Sequence, residues 1–148
     1  MPRVRKDDNP PAGELLEGLR PDQSIRERGA RVLVVEDDLD QADGLADVLE
    51  LLGYEVWTAR DGPAALAAAR ASSPDVVLLD IGLPVLDGYQ VAARLRKEHS
   101  GCRVLMIAVT GHGTAEDSRQ SREAGFDHHL VKPIDIRFLV SLLARTAV

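Results

Sequence analysis

Residues 76–84 read Val-Val-Leu-Leu-Asp-Ile-Gly-Leu-Pro, and this stretch decides the fold. Val76 to Leu79 is a short apolar run, β-branched at its start and preceded by the Ser73-Pro74-Asp75 breaker, the pattern of a strand buried on both faces. Asp80 closes it. Ile81-Gly82-Leu83-Pro84 then interrupts the pattern and a helix opens near Gly88, which leaves the Asp80 carboxylate in a loop at the carboxyl edge of a sheet. In open α/β sheets ligands bind at that edge. Two further apolar runs end alike: Val32 to Val35 runs into Glu36-Asp37-Asp38, and Val104 to Val109 runs into Thr110. The three polar endings are expected on one rim.

Outward from this stretch the chain alternates. A strand at 31–36 precedes a helix in which Ala42, Leu45, Ala46, Leu49 and Leu52 recur at helical spacing, with Gly53 as its stop. A strand at 55–59 follows, then an alanine-rich helix over 64–71 entered through Asp61-Gly62-Pro63. After the Asp80 strand come a helix over about 89–97, a strand at 104–109 and a helix over about 114–124 ended by Gly125. His129 to Lys132 makes a short fifth strand, and Ile136, Leu139, Val140 and Leu143 mark a closing amphipathic helix. Five strands alternating with five helices predict an α/β, doubly wound parallel sheet covered on both faces by right-handed crossovers. The fourth helix, Thr114 to Ala124, has almost no apolar stripe, so little burial holds it and it is the element expected to move.

Composition narrows the function. The 148 residues are 45% hydrophobic and 3% aromatic, which suits one domain with an aliphatic core. The net charge of -6 resides wholly in residues 30–148, because residues 1–29 hold six basic and six acidic side chains. An acidic domain does not attract phosphate backbones, so no direct nucleic-acid binding is expected. The single Cys102 excludes an internal disulfide, and no stretch has the apolar length of a membrane span or the apolar core of a signal peptide. A cytoplasmic protein with no membrane partner is expected. Residues 1–29 contain four of the eight prolines and read as a flexible N-terminal leader before a domain over 30–148, although Leu15, Leu16 and Leu19 would allow a short docking segment.

The chemistry follows from the side chains that meet at the rim. Glu36, Asp37 and Asp80 gather carboxylates that repel one another unless a hard divalent cation neutralises them, and Mg²⁺ suits such ligands together with a backbone carbonyl such as that of Gly82. Thr110 offers a hydroxyl, and Lys132 offers a point charge able to pair with a phosphate oxygen. The set reads as a phosphoryl-transfer site with Asp80 as nucleophile. Each piece alone has an ordinary reading, since acidic residues after a strand are often solvated or cap a helix. Their joint placement at the ends of the first, third, fourth and fifth strands carries the signal.

Together these residues resemble a response-regulator receiver domain of two-component phosphorelay signalling, with its CheY-like, flavodoxin-like fold. The resemblance runs from about Ala30 to the C-terminus. It rests on Val34-Val35-Glu36-Asp37-Asp38, on Leu79-Asp80 through Pro84 to Asp87-Gly88, on Val109-Thr110-Gly111, and on Ala124-Gly125-Phe126 through Val131-Lys132-Pro133. It implies a sheet in the order 2-1-3-4-5, phosphorylation of Asp80 by the phosphohistidine of a histidine kinase or histidine phosphotransfer protein, and Mg²⁺ at Glu36, Asp37, Asp80 and the Gly82 carbonyl. It implies phosphoryl contacts from Thr110 and Lys132, and a cis peptide before Pro133. Asp38 lies one place beyond the family's acidic pair and is not carried over. Such a chain is a phosphoacceptor that assists its own phosphotransfer and dephosphorylation, rather than an enzyme. The wording around Asp80 and over 124–133 is most similar to receivers attached to hybrid sensor kinases.

Departures from the family are informative. His129 stands where the family has Tyr or Phe, three residues before the lysine, so it reads either as a polar edge-strand residue or as a switch that links Thr110 to the fourth helix and responds to pH. Gly82 and His112, two residues beyond Asp80 and Thr110, occupy places that influence the lifetime of the acyl phosphate. His112, His128 and His129 lack ligand-like spacing for a transition metal. With nothing after the last helix, a stand-alone receiver is expected, signalling through the face formed by the fourth helix, fifth strand and fifth helix to a downstream protein or a second copy. Two rivals stand beside it: a pseudo-receiver that binds partners without phosphorylation, and a Mg²⁺-dependent hydrolase using an aspartyl phosphate.

Overall fold

A computed structural model of the chain describes residues 30–83, 87–99, 104–111, 119 and 122–144. The leader, His112 and most of the segment read as the fourth helix lie outside these residues. Strands β1 (Arg31–Val35), β2 (Glu55–Ala59), β3 (Val76–Asp80), β4 (Leu105–Thr110) and β5 (His128–Val131) form one parallel sheet in the order β2-β1-β3-β4-β5. Between them run α1 (Leu39–Leu51), α2 (Gly62–Ser72) and α3 (Gly88–Glu98). Residues 122–124 are the described end of α4, and α5 (Ile136–Ala144) closes the fold.

Alternation along the strands divides the core in two, because successive side chains leave a strand on opposite faces. Val32, Val34, Val76 and Leu78 pack with Ala46 and Leu49 of α1 and with Leu139 and Leu143 of α5. Leu33, Val35, Val77 and Leu79 face the other way, onto Ala65, Leu66 and Ala69 of α2 and Val91, Ala92 and Leu95 of α3. The β3 run is thus buried on both sides, as its unbroken apolar sequence requires.

Aspartate opens each of these four helices. Asp38, Asp61 and Asp87 are N-caps whose carboxylates accept first-turn amides, and Asp135 accepts from the amides of Arg137 and Phe138. The second helix begins two residues before the expected Ala64, since Asp61 caps it and Pro63 fits its first turn. Gly53 and Gly125, the expected stops, have φ of 101° and 105°, the left-handed region that favours glycine. β5 stops before Lys132, whose amide still donates to Thr110 O at 2.8 Å, and the Lys132-Pro133 bond is cis.

A side-chain tie secures the sheet's far edge. Arg96 of α3 donates to Gly125 O at 2.9 Å, to Val104 O at 2.7 Å and to the Asp127 carboxylate at 2.7 Å. Asp127 also accepts from Met106 N at 2.8 Å. One guanidinium therefore joins the end of α3, the entry to β4 and the turn into β5.

Candidate functional site

Register sets the rim. Val35 pairs with Leu79, Asp80 with Val109 and Thr110 with Val131. Glu36 is therefore level with Asp80 across the sheet, Thr110 lies one residue beyond them and Lys132 two. Glu36 extends the ladder, donating its amide to Ala59 O at 3.0 Å, and its side chain is nearly buried. Asp37 is exposed beside it, and Asp38 turns the chain into α1.

Lys132 draws these endings together. Its ammonium donates to Glu36 Oε1 at 2.6 Å, to Gln41 Oε1 at 3.0 Å and to Asp80 Oδ2 at 3.3 Å. The other Asp80 oxygen, Oδ1, accepts the Gly82 amide at 2.9 Å. Both carboxylate oxygens of Asp80 are thus oriented, and 13% of the side chain remains open to solvent.

Among the described residues, Glu36, Asp37 and Asp80 each place a carboxylate oxygen within 4.8 Å of the others, a donor set that could hold a divalent cation. The electrostatics agree with that fit. Burial pushes the Glu36 carboxyl up from 4.5 to about 7, against the lowering effect of its Lys132 bond, and the Asp80 carboxylate pushes it further up. Burial disfavours the Lys132 ammonium, but the Glu36 bond and the Asp80 charge outweigh it and raise its pKa. The cluster is short of positive charge, which is the condition a cation relieves.

Glycine leaves the approach to Asp80 open. A Cβ at Gly82 would have the Asp80 Oδ1 oxygen 3.7 Å away, and one at Gly111 would meet nothing within 4 Å. Beside the carboxylates, a cavity of about 700 Å³ extends between α1 and the start of α5, lined by Gln41, Gly44, Leu45, Val48, Ile134 and Ile136 among others. Thr110 is 9% exposed at the end of β4. His129 is half-buried on the edge strand, paired with Ala108, and therefore on the same face of the sheet as Thr110. His112 lies outside the described residues.

Sequence reasoning passed over Gln41. It is the third residue of a helix capped by Asp38, and the Asp-x-x-Gln spacing is that of a capping box, the one local signal that pointed to it.

Three kinds of similarity bear on this geometry. The family model described as "Response regulator receiver domain" matches residues 32–144. The transcriptional regulatory protein PrrA of Mycobacterium tuberculosis is 41% identical over 111 residues, covering 75% of this chain and 47% of PrrA. The chain thus spans about half the length of the curated relatives it matches. A CheY-like receiver domain protein from Methanospirillum hungatei has a TM-score of 0.73 at 31% identity, covering 80% of this chain and 93% of that one. Chemotaxis protein CheY4 of Vibrio cholerae has a TM-score of 0.74 at 30% identity, covering 79% and 98%. No described helix is long and apolar enough to cross a membrane.

Proposed function

The chain belongs to the response-regulator receiver family, and on that premise we propose that Asp80 accepts a phosphoryl group from the phosphohistidine of a histidine kinase or histidine phosphotransfer protein. The observation that carries this reading is the convergence on Asp80 of two further carboxylates and the Lys132 ammonium. An Asp80 oxygen forms the new O–P bond as the donor's P–N bond breaks, and the imidazole departs with the electron pair. Gly82 N–H and Lys132 hold the carboxylate in one orientation before attack, and Lys132 then meets the charge on the phosphoryl oxygens. Glu36, Asp37 and Asp80, with the Gly82 carbonyl, would hold Mg²⁺, which supplies neutralisation of the phosphoryl charge when bound.

In the same reading the Thr110 hydroxyl turns towards the phosphoryl group, and the change passes to α4, β5 and α5 with His129 on the path. Support for that face as the output is the exposure of two large apolar side chains, Val131 of β5 at 46% and Phe138 of α5 at 48%. A downstream protein or a second copy would cover them. Gly82 and His112 would set the lifetime of the acyl phosphate, Gly82 by leaving water a clear path.

Intact-mass measurement after incubation with Mg²⁺ and a small acyl phosphate tests the reading. One phosphoryl adduct is expected on the wild type, with none on Asp80→Asn and none after metal chelation. No adduct from any donor would replace this reading with a binding module that works without phosphorylation.

A further inference from the structure

Two helices of this chain start on the same pattern, Asp-x-x-Gln, at Asp38–Gln41 and Asp87–Gln90. At α3 the box closes: Gln90 N donates to Asp87 Oδ1 at 2.9 Å, and Asp87 N donates back to Gln90 Oε1 at 3.2 Å. At α1 only the first half forms, with Asp38 Oδ1 accepting from Asp40 N at 3.0 Å and Gln41 N at 3.2 Å. The Asp38 amide turns instead to Glu36 Oε2 at 3.3 Å. The glutamine oxygen that would have closed the box accepts from Lys132 Nζ at 3.0 Å.

The Gln41 amide has only one way to sit there. Lys132 is a donor without acceptor capacity and the Asp38 carboxylate only accepts, so the amide between them must present oxygen to the lysine and nitrogen to the aspartate. Gln41 Nε2 does donate to Asp38 Oδ2, at 3.2 Å. Leucine could make neither bond, and glutamate would set a second carboxylate against Asp38.

Lys132 carries its three N–H donors on a flexible four-carbon stem. Glu36 and Gln41, from the end of β1 and the first turn of α1, take two of them, and the third reaches Asp80 at 3.3 Å. Because Gln41 is neutral, it anchors the ammonium without adding a fourth carboxylate to the rim. We propose that Gln41 is a positioning residue that, together with Glu36, aims the remaining Lys132 N–H at Asp80 and so at the phosphoryl group that arrives there. This inference rests on the phosphoacceptor reading above.

Its test has two arms on the full chain. The first is trace acetylation of the Lys132 amine, followed by peptide mass spectrometry in the absence of any phosphodonor. Gln41→Leu should make Lys132 react several-fold faster, while Gln90→Leu should leave it unchanged. The second arm is the rate of Asp80 phosphorylation by a small acyl phosphate with Mg²⁺. Gln41→Leu should lower the maximal rate about tenfold, with the half-saturating donor concentration unchanged. The same substitution should have no effect in a Lys132→Ala background, because a positioning residue acts only through the group it positions. An equal drop in that background, or unaltered labelling of Lys132, overturns the proposal. A wild-type chain that takes no phosphoryl group overturns the phosphoacceptor reading instead, and the labelling arm then decides the lysine anchor alone.

Discussion

At its first helical position α1 carries Leu39, 51% exposed, whereas α3 carries Gly88, where an added Cβ would lie 2.5 Å from Ile81 Cα and 2.9 Å from the Asp80 carbonyl oxygen. The start of α3 is pressed against the loop that leaves Asp80, and Gly88 N donates to Ile81 O at 2.9 Å. There Gln90 closes its own cap. The start of α1 borders the acid cluster, and its glutamine reaches Lys132 instead. The two starts teach that an Asp-x-x-Gln motif marks where a helix begins, while the group its glutamine serves depends on what the rest of the fold brings within reach.

The largest effect should come from breaking the tight start. Gly88→Ala is expected to cost about 3 kcal/mol in urea denaturation, because both contacts are with backbone that cannot give way cheaply. Leu39→Ala, at the equivalent place in α1, should stay within about 0.5 kcal/mol of the wild type. Comparable losses at the two positions would sink the distinction.

A smaller effect separates the two starts by pH. The Glu36 carboxyl, which accepts the Asp38 amide, sits at about 7 in the fold against 4.5 without it. The folded chain therefore keeps a proton that the unfolded chain has released, so stability is greatest below about 4.5 and falls as pH rises to about 7. The fall should reach about 2 kcal/mol in melts without divalent cation. Glu36→Gln should flatten that segment of the curve, and added Mg²⁺ should recover the loss at pH 7.5 or thereabouts. Hydrogen exchange should place the change in the first turn of α1 and leave that of α3 unmoved.

The smallest effect concerns the caps themselves. Asp38→Ala and Asp87→Ala should each cost about 1 kcal/mol, since each removes the acceptor of first-turn amides. Only Asp38→Ala should also speed labelling of Lys132, because it removes the partner that orients the Gln41 amide. Equal labelling in both variants would mean that the α1 cap and the lysine are independent.

Much of this molecule is decided by short-range rules that the sequence displays on its own. The unbroken apolar run ending at Asp80, the aspartates at the described starts of α1, α2, α3 and α5 and the glycines at 53 and 125 act within a few residues, through pleat, cap and φ, so the elements and their order could be read in advance. The rim could be read too, because parallel strands deliver their endings to one edge and Glu36, Asp80, Thr110 and Lys132 are such endings. What the tertiary structure alone decided are the partners: Gln41 with Lys132, separated by 91 residues, Arg96 with Asp127, separated by 31, and Gly88 against Ile81. The reason is physical. A helix start needs only its own neighbours in the chain, whereas the acceptors of an ammonium on a long side chain exist only after the sheet has assembled and brought β1, α1, β3 and the end of β5 to the same few ångströms of space.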